Sequence, residues 1–198
     1  MTPRKIFNFK QTLSKQFRFV LIIAAVLLSI ELLNLLTLRS LNVLALIPRE
    51  ITRLPLIITA PLLHKDTWHF ASNIIPFTIL SFLAMQYGKK TYLTVLLSST
   101  LATGIGVWLF ARGIPHMGLN GLVYALFGFL LVSGIRTRQI KHLAISLITL
   151  LGWGGLVFGL LPINAYISWE SNIFGVLSGI SCAMILQKIP IKNVTVEM

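Results

Sequence analysis

Long apolar runs separated by short polar connections set the pattern of this chain. After a basic opening segment, residues 1–18, an apolar run extends from Phe19 to about Leu38, and five more cover about 67–87, 91–111, 119–134, 142–161 and 169–187. Each is close to the ~20 residues a helix needs to cross a hydrocarbon core of ~30 Å. The first run is too long for the apolar region of a cleaved signal peptide and lacks a small-x-small cleavage pattern, so it is expected to be a retained helix. Glu31 interrupts it, and an acid there is expected to face the bundle or the outer interface. The stretch 39–66 differs, with Pro48, Pro55 and Pro61 and the charges Arg49, Glu50 and Arg53 among its apolar residues. It cannot span as one helix and is expected to form a structured loop at the membrane interface. The pattern predicts an all-α membrane protein with a six-helix domain over 19–188, a basic N-terminal segment 1–18 and a short polar tail 189–198.

Composition agrees with this reading. Of 198 residues 56% are apolar and 11% charged, with a mean hydropathy of +0.85; a soluble domain carries about 45–50% and about 25%. The one cysteine, Cys182, excludes an intramolecular disulfide and a C-x-x-C metal site. The net charge of +12 raises nucleic acid as a partner, but the basic residues punctuate the apolar runs instead of clustering on a polar domain, and that excludes it. With the N-terminus cytoplasmic, Arg4, Lys5, Lys10, Lys15, Arg18, Lys89, Lys90, Arg136, Arg138, Lys141, Lys188 and Lys192 lie inside. Only Arg39, Arg49, Arg53, Lys65 and Arg112 lie outside. Cytoplasmic loops are the richer in Lys and Arg, so both termini are expected inside, in a plasma or inner membrane, with anionic lipid head groups as partners of the basic side.

That topology gathers polar residues. Helices two, four and six run in the same direction, so Trp68, His69 and Asn73, then Gly118, Asn120 and Gly121, then Trp169, Glu170, Ser171 and Asn172 all open their helices at one depth. Lipid cannot satisfy His69, Asn73, Asn120 and Asn172. They are expected to face the bundle and bond to one another or to water in a cavity open to the outside. His69 and Asn73 are i and i+4, on one helix face. Gly118, Gly121 and Gly128 line helix four, while Gly175 and Gly179 on helix six and Gly155 and Gly159 on helix five form the G-x-x-x-G spacing that lets backbones approach.

The segments HKDTWHFASN at 64–73, GLNGLVY at 118–124 and WESNIFGVLSG at 169–179 resemble, in order, the helix-two, helix-four and helix-six motifs of the rhomboid intramembrane serine proteases. The resemblance covers essentially the whole chain. It implies a six-helix rhomboid-like bundle with a water-filled, outward-facing cavity and an interfacial first loop. In the family a helix-four Ser attacks the peptide carbonyl of a single-span substrate and a helix-six His takes its proton, while a helix-two His and Asn stabilise the oxyanion. His69 and Asn73 match the last two, Tyr124 matches the aromatic beside the catalytic His, and Gly175 and Gly179 match the helix-six glycines.

The two covalent positions depart from that pattern. The nucleophile position holds Asn120 and the base position Asn172. A carboxamide has no proton to lose near neutral pH and no basic nitrogen, so it can neither be activated as a nucleophile nor shuttle a proton. The chain as written is expected to be proteolytically inactive and to bind or sort single-span membrane partners. The alternatives are a rhomboid-type serine endopeptidase, through an active parent or a substitute dyad of His116 with Ser168 or Ser171, and a packing scaffold without a ligand. Ser171 is turned by about 100° from Asn172 on a helix and is expected to point at a neighbouring helix. Asn120 and Asn172 could instead bond directly to each other as a structural pair. His64, His69 and His116 with Asp66 make too loose a set for a metal, and no cofactor motif is present. Trp68, Trp108 and Trp169 are expected in an aromatic belt, and Glu170 to complement the helix dipole.

Overall fold

The computed structural model describes residues 9–163 and 168–188. Among them six helices are long and apolar enough to cross a membrane. They are α1 (Phe9–Leu36), α2 (Thr67–Ala84), α3 (Lys89–Phe110), α4 (Asn120–Thr137), α5 (Ile140–Trp153) and α6 (Trp169–Leu186). Tight 3-10 turns prolong α2 to Tyr87 and α5 to Leu160. The apolar runs read from the sequence lie within a few residues of these elements, except at the start of α1.

The described helix reaches back to Phe9, ten residues before the apolar run, so residues 9–18 of the basic segment are helical. Residues 9–18 contain no Gly or Pro and half of them are Lys, Gln or Arg, which favour helix on their own. Contacts with the end of α2 hold the extension: Gln16 donates to the Met85 carbonyl at 3.0 Å, Gln86 donates to Gln16 at 3.1 Å, and Phe17 meets Phe82 edge to face. Residues 1–8 and the tail 189–198 lie outside the described residues.

The stretch 39–66 is ordered, as three short 3-10 turns (Ser40–Leu44, Ile51–Ile57 and Ala60–Leu62). Its turns pack on α3 and on the connection into α4. Leu46, Ile57 and Ala60 are buried with Val107 and Ala111. Leu46 and His116 exchange both backbone hydrogen bonds, at 3.0 and 2.8 Å, and the Gly118 amide donates to the Ala60 carbonyl at 2.9 Å. Glu31 faces the bundle, where Arg39 at 2.8 Å pairs it and reaches on to the His64 carbonyl.

α4 is the central helix. Thirteen of its 18 residues are buried, with Leu126, Phe129 and Leu130 packing among Phe77 and Leu80 of α2 and Tyr92 and Val95 of α3. Its closest neighbour is α6. A Cβ added at Gly175 would strike the Gly121 carbonyl, and one at Gly179 the Ala125 carbonyl, both well inside the 3.0 Å that real Cβ contacts do not breach. From the other side, a Cβ at Gly128 would come 2.7 Å from the Val176 carbonyl. Small residues here set the helix separation. The G-x-x-x-G of helix five behaves differently. α5 ends at Trp153, so Gly155 and Gly159 lie on the 3-10 turn Gly154–Leu160, where i and i+4 do not share a face. Gly155 faces open space, and only Gly159 is close-packed, against Tyr124.

Candidate functional site

A cavity of about 540 Å³ lies at the common N-terminal end of α2, α4 and α6. His69, Asn73, Asn120, Tyr124 and Asn172 all line it, together with Ser72 and Ser168. Lys65, Asp66 and Trp68 at its edge are exposed. Because these helices run the same way, their first turns face one space, and that brings together residues more than 100 positions apart.

At α2, Asp66 caps the helix by accepting from the His69 amide at 2.7 Å, and this bond holds its carboxyl below the ordinary range. Asn73 donates its amide to the His69 carbonyl at 2.7 Å, so the i, i+4 relation is realised through the backbone and leaves the imidazole free of Asn73. The His69 side chain lines the cavity beside Asn120 and stands edge to face with His64 at 5.2 Å.

At α4, Gly118 has φ +109°, a conformation that L side chains rarely adopt, and a Cβ there would meet His69 Cε1 at 2.6 Å. Glycine therefore lets the chain turn into α4 directly beneath the imidazole. His64 Nε2 accepts from the Leu119 amide at 3.4 Å, tying the first loop to the residue before Asn120. Burial, reinforced by His69 and Arg39, lowers the His64 pKa to about 3, so the ring is neutral. Gly121 gives the next turn its closeness to α3 and α6, where a Cβ would meet Thr103 at 2.7 Å and the Ser171 carbonyl at 3.5 Å.

At α6, Asn172 is buried and donates to the Gly159 carbonyl at 2.8 Å. Tyr124 donates to the Leu156 carbonyl at 2.8 Å. A direct Asn120–Asn172 pair is not formed. The 3-10 turn after α5 presents the Gly159 carbonyl to Asn172 instead. Among the described residues the carbonyl oxygen of Asn172 is buried without a hydrogen-bond partner, an acceptor for a group entering the cavity.

Beside the cavity lies a second polar group. Arg112, after α3, forms a two-point ion pair with the buried Glu170, with Nη2 to Oε2 at 3.0 Å. Glu170 thus does more than complement the helix dipole, and it raises the Arg112 pKa further through its hydrogen bonds. The sequence reading missed this pair. A basic residue at the outer end of helix three opposite an acid in the first turn of helix six was the available clue. His116, also buried, has Nδ1 2.6 Å from Ser168 Oγ, and Ser168 Oγ is 2.7 Å from Ser171 Oγ. Ser171 lines a smaller pocket on the α3 side of α4, with Thr103 and Gly121. Of the tryptophans, Trp68 is exposed, Trp108 donates to the Glu50 carbonyl at 3.0 Å, and Trp169 lies under Arg112.

Chemically, the two amides at the covalent positions can donate and accept hydrogen bonds but cannot attack a carbonyl or carry a proton. The comparisons with known proteins fit this architecture. The family model for the rhomboid domain matches residues 48–189. An uncharacterised protein of Mycobacterium tuberculosis (strain H37Rv) is 29% identical over 176 residues, covering 84% of this chain and 73% of its own length. One from Mycobacterium leprae is 29% identical over 178 residues, covering 84% and 70%. With the family match spanning most of the sequence and six apolar helices to cross the bilayer, this chain is a multi-pass membrane protein that belongs to the rhomboid family.

Proposed function

We propose that this rhomboid-like protein receives single-span membrane segments in the α2/α4/α6 cavity and holds or sorts them without cutting them by the family's Ser–His chemistry. The observation that carries the reading is the state of Asn120 and Asn172. Both line the cavity, Asn172 is bonded to the Gly159 carbonyl, and neither has an ionisable group. A segment that unwinds from its helix within a bilayer frees backbone N–H and C=O groups that lipid cannot satisfy. Side chains that both donate and accept, together with the unpaired carbonyl oxygen of Asn172, suit such a backbone. The excess of Lys and Arg on the opposite ends of the helices favours a cytoplasmic N-terminus in a plasma or inner membrane, with the cavity facing outward.

Crosslinking tests the capture. A Ser72→Cys variant, placing a thiol on the cavity wall, is incubated in proteoliposomes with single-span peptides carrying one cysteine near the outer interface. The expected result is a one-to-one disulfide adduct of uncut peptide that an excess of cysteine-free peptide suppresses. Fragments of the peptide, or adducts that competition leaves unchanged, would overturn the reading.

A further inference from the structure

Ser168 and His116 play no part in that capture, yet their arrangement is that of a nucleophile and its base. His116 is 3% exposed. Its Nε2 lies 3.0 Å from the Arg112 carbonyl, which can only accept, so Nε2 carries the proton and Nδ1 carries the lone pair. That lone pair faces Ser168 Oγ at 2.6 Å, so the serine hydroxyl donates to it and in turn accepts from Ser171. The backbone exchange between His116 and Leu46 fixes the ring's position from the loop side. Ser168 stands at the N-cap position of α6, where a serine ordinarily caps, but its hydroxyl makes no cap bond. It is only half-buried and lines the same cavity as His69 and Asn172. Nucleophile, base and a third group orienting the base are thus present in sequence-distant residues. Ser168 directly precedes the first turn of α6, the positive end of that helix dipole.

We propose that Ser168 and His116 form a nucleophilic site for carboxylic esters, or other activated acyl groups, that enter the cavity. Ser168 Oγ attacks the acyl carbon as its proton passes to His116 Nδ1. The carbon–oxygen bond to the leaving alcohol breaks, and that alkoxide takes the proton from His116. Water, deprotonated by the same nitrogen, then releases the acid and restores the serine. Activated esters are the class the pair serves most readily, because an alcohol that leaves easily asks little of the base as an acid. The charged groups facing His116 are Arg112 and Glu170, paired with each other, and burial pushes the imidazole below its ordinary range, so it is a neutral base at pH 7. This site stands whether or not the cavity captures a membrane segment.

The test uses the full chain in detergent with a fluorophosphonate probe, whose P–F bond breaks as Ser–O–P forms, followed by peptide mass mapping. One adduct is expected, on Ser168. It should vanish in Ser168→Ala, persist in the exposed Ser181→Ala control, and form about 10²-fold more slowly in His116→Gln, with p-nitrophenyl butyrate hydrolysis following the same order. Size-exclusion profile and thermal midpoint establish that each variant is folded. In a second variant, Ser168→Cys, iodoacetamide should alkylate the new thiol faster at pH 6 than it alkylates the same thiol with His116→Gln added; Cys182 is buried. No adduct on the folded chain, an adduct on Ser171 or elsewhere, or rates unchanged by His116→Gln would overturn the proposal.

Discussion

The α4–α6 contact is built in two different ways along its length. From Gly121 to Gly128 on one helix and Gly175 to Gly179 on the other it is backbone against backbone, with no room for a Cβ. At their N-terminal ends the same two helices border a polar cavity whose side chains bond mostly to neighbouring carbonyls: Asn73 to His69, Asn172 to Gly159, Tyr124 to Leu156. At Gly128, Gly175 and Gly179 the first region leaves glycine as the one residue that fits. The second is tolerant, because any side chain that can donate to those carbonyls satisfies them. A rhomboid-family chain can therefore carry Asn at both covalent positions and keep its helix arrangement.

Breaking the rigid end is expected to have the largest effect. Gly175→Val or Gly179→Val forces α6 off the α4 backbone and should cost about 3 kcal/mol or more, at or beyond the usual range for overpacking, read as loss of a monodisperse species and a collapsed thermal midpoint in detergent. Next comes the ion pair at the polar end. Arg112→Met leaves Glu170 buried without its partner and should cost about 2–3 kcal/mol, less than for a fully buried pair because Arg112 is 36% exposed. Adding Glu170→Gln should recover part of that loss, whereas a merely steric role for Arg112 would give additive losses.

Acid sharpens the comparison from another direction. His64 is held neutral with a pKa lowered to about 3, while the unfolded chain protonates near 6.5. Its contribution is complete above pH 6.5 and is lost as the pH falls toward 3, with about 2 kcal/mol gone at pH 5. His116, shifted in the same direction by burial, adds to the loss. The thermal midpoint should fall between pH 7.5 and pH 5, and His64→Gln should flatten that dependence. The smallest effects belong to the tolerant contacts. Tyr124→Phe and Asn172→Ala each remove one bond to the 3-10 turn after α5 and should cost about 1 kcal/mol, near the usual worth of a polar contact between membrane helices.

Much of this was legible in the chain. Six apolar runs, the proline-broken first loop and the glycines facing α4 follow from the lengths of elements and the size of side chains, and both are written locally. The convergence of His69, Asn73, Asn120 and Asn172 was readable because helix parity fixes which ends share a depth. Less legible were features that depend on where a helix stops being α. The switch to 3-10 at Gly154 presents the carbonyls that take Tyr124 and Asn172, and no residue pattern announces it. The reach of α1 back to Phe9 depends on Gln16 meeting Met85 and Gln86, a contact across 69 and 70 residues. The sequence offers His116 with Ser168 or Ser171 as a substitute dyad but does not choose between the serines. The contact with Ser168 depends on the pairing of Leu46 with His116, which joins two loops.

The central claim is that the cavity is an intact rhomboid site from which only the covalent groups at 120 and 172 are missing. The most direct measurement incubates a labelled single-span peptide panel with the chain as it stands and with the Asn120→Ser, Asn172→His double variant, in the same proteoliposomes. The expected result is fragments from the double variant and none from the unaltered chain. Cleavage of the panel by the unaltered chain would contradict it.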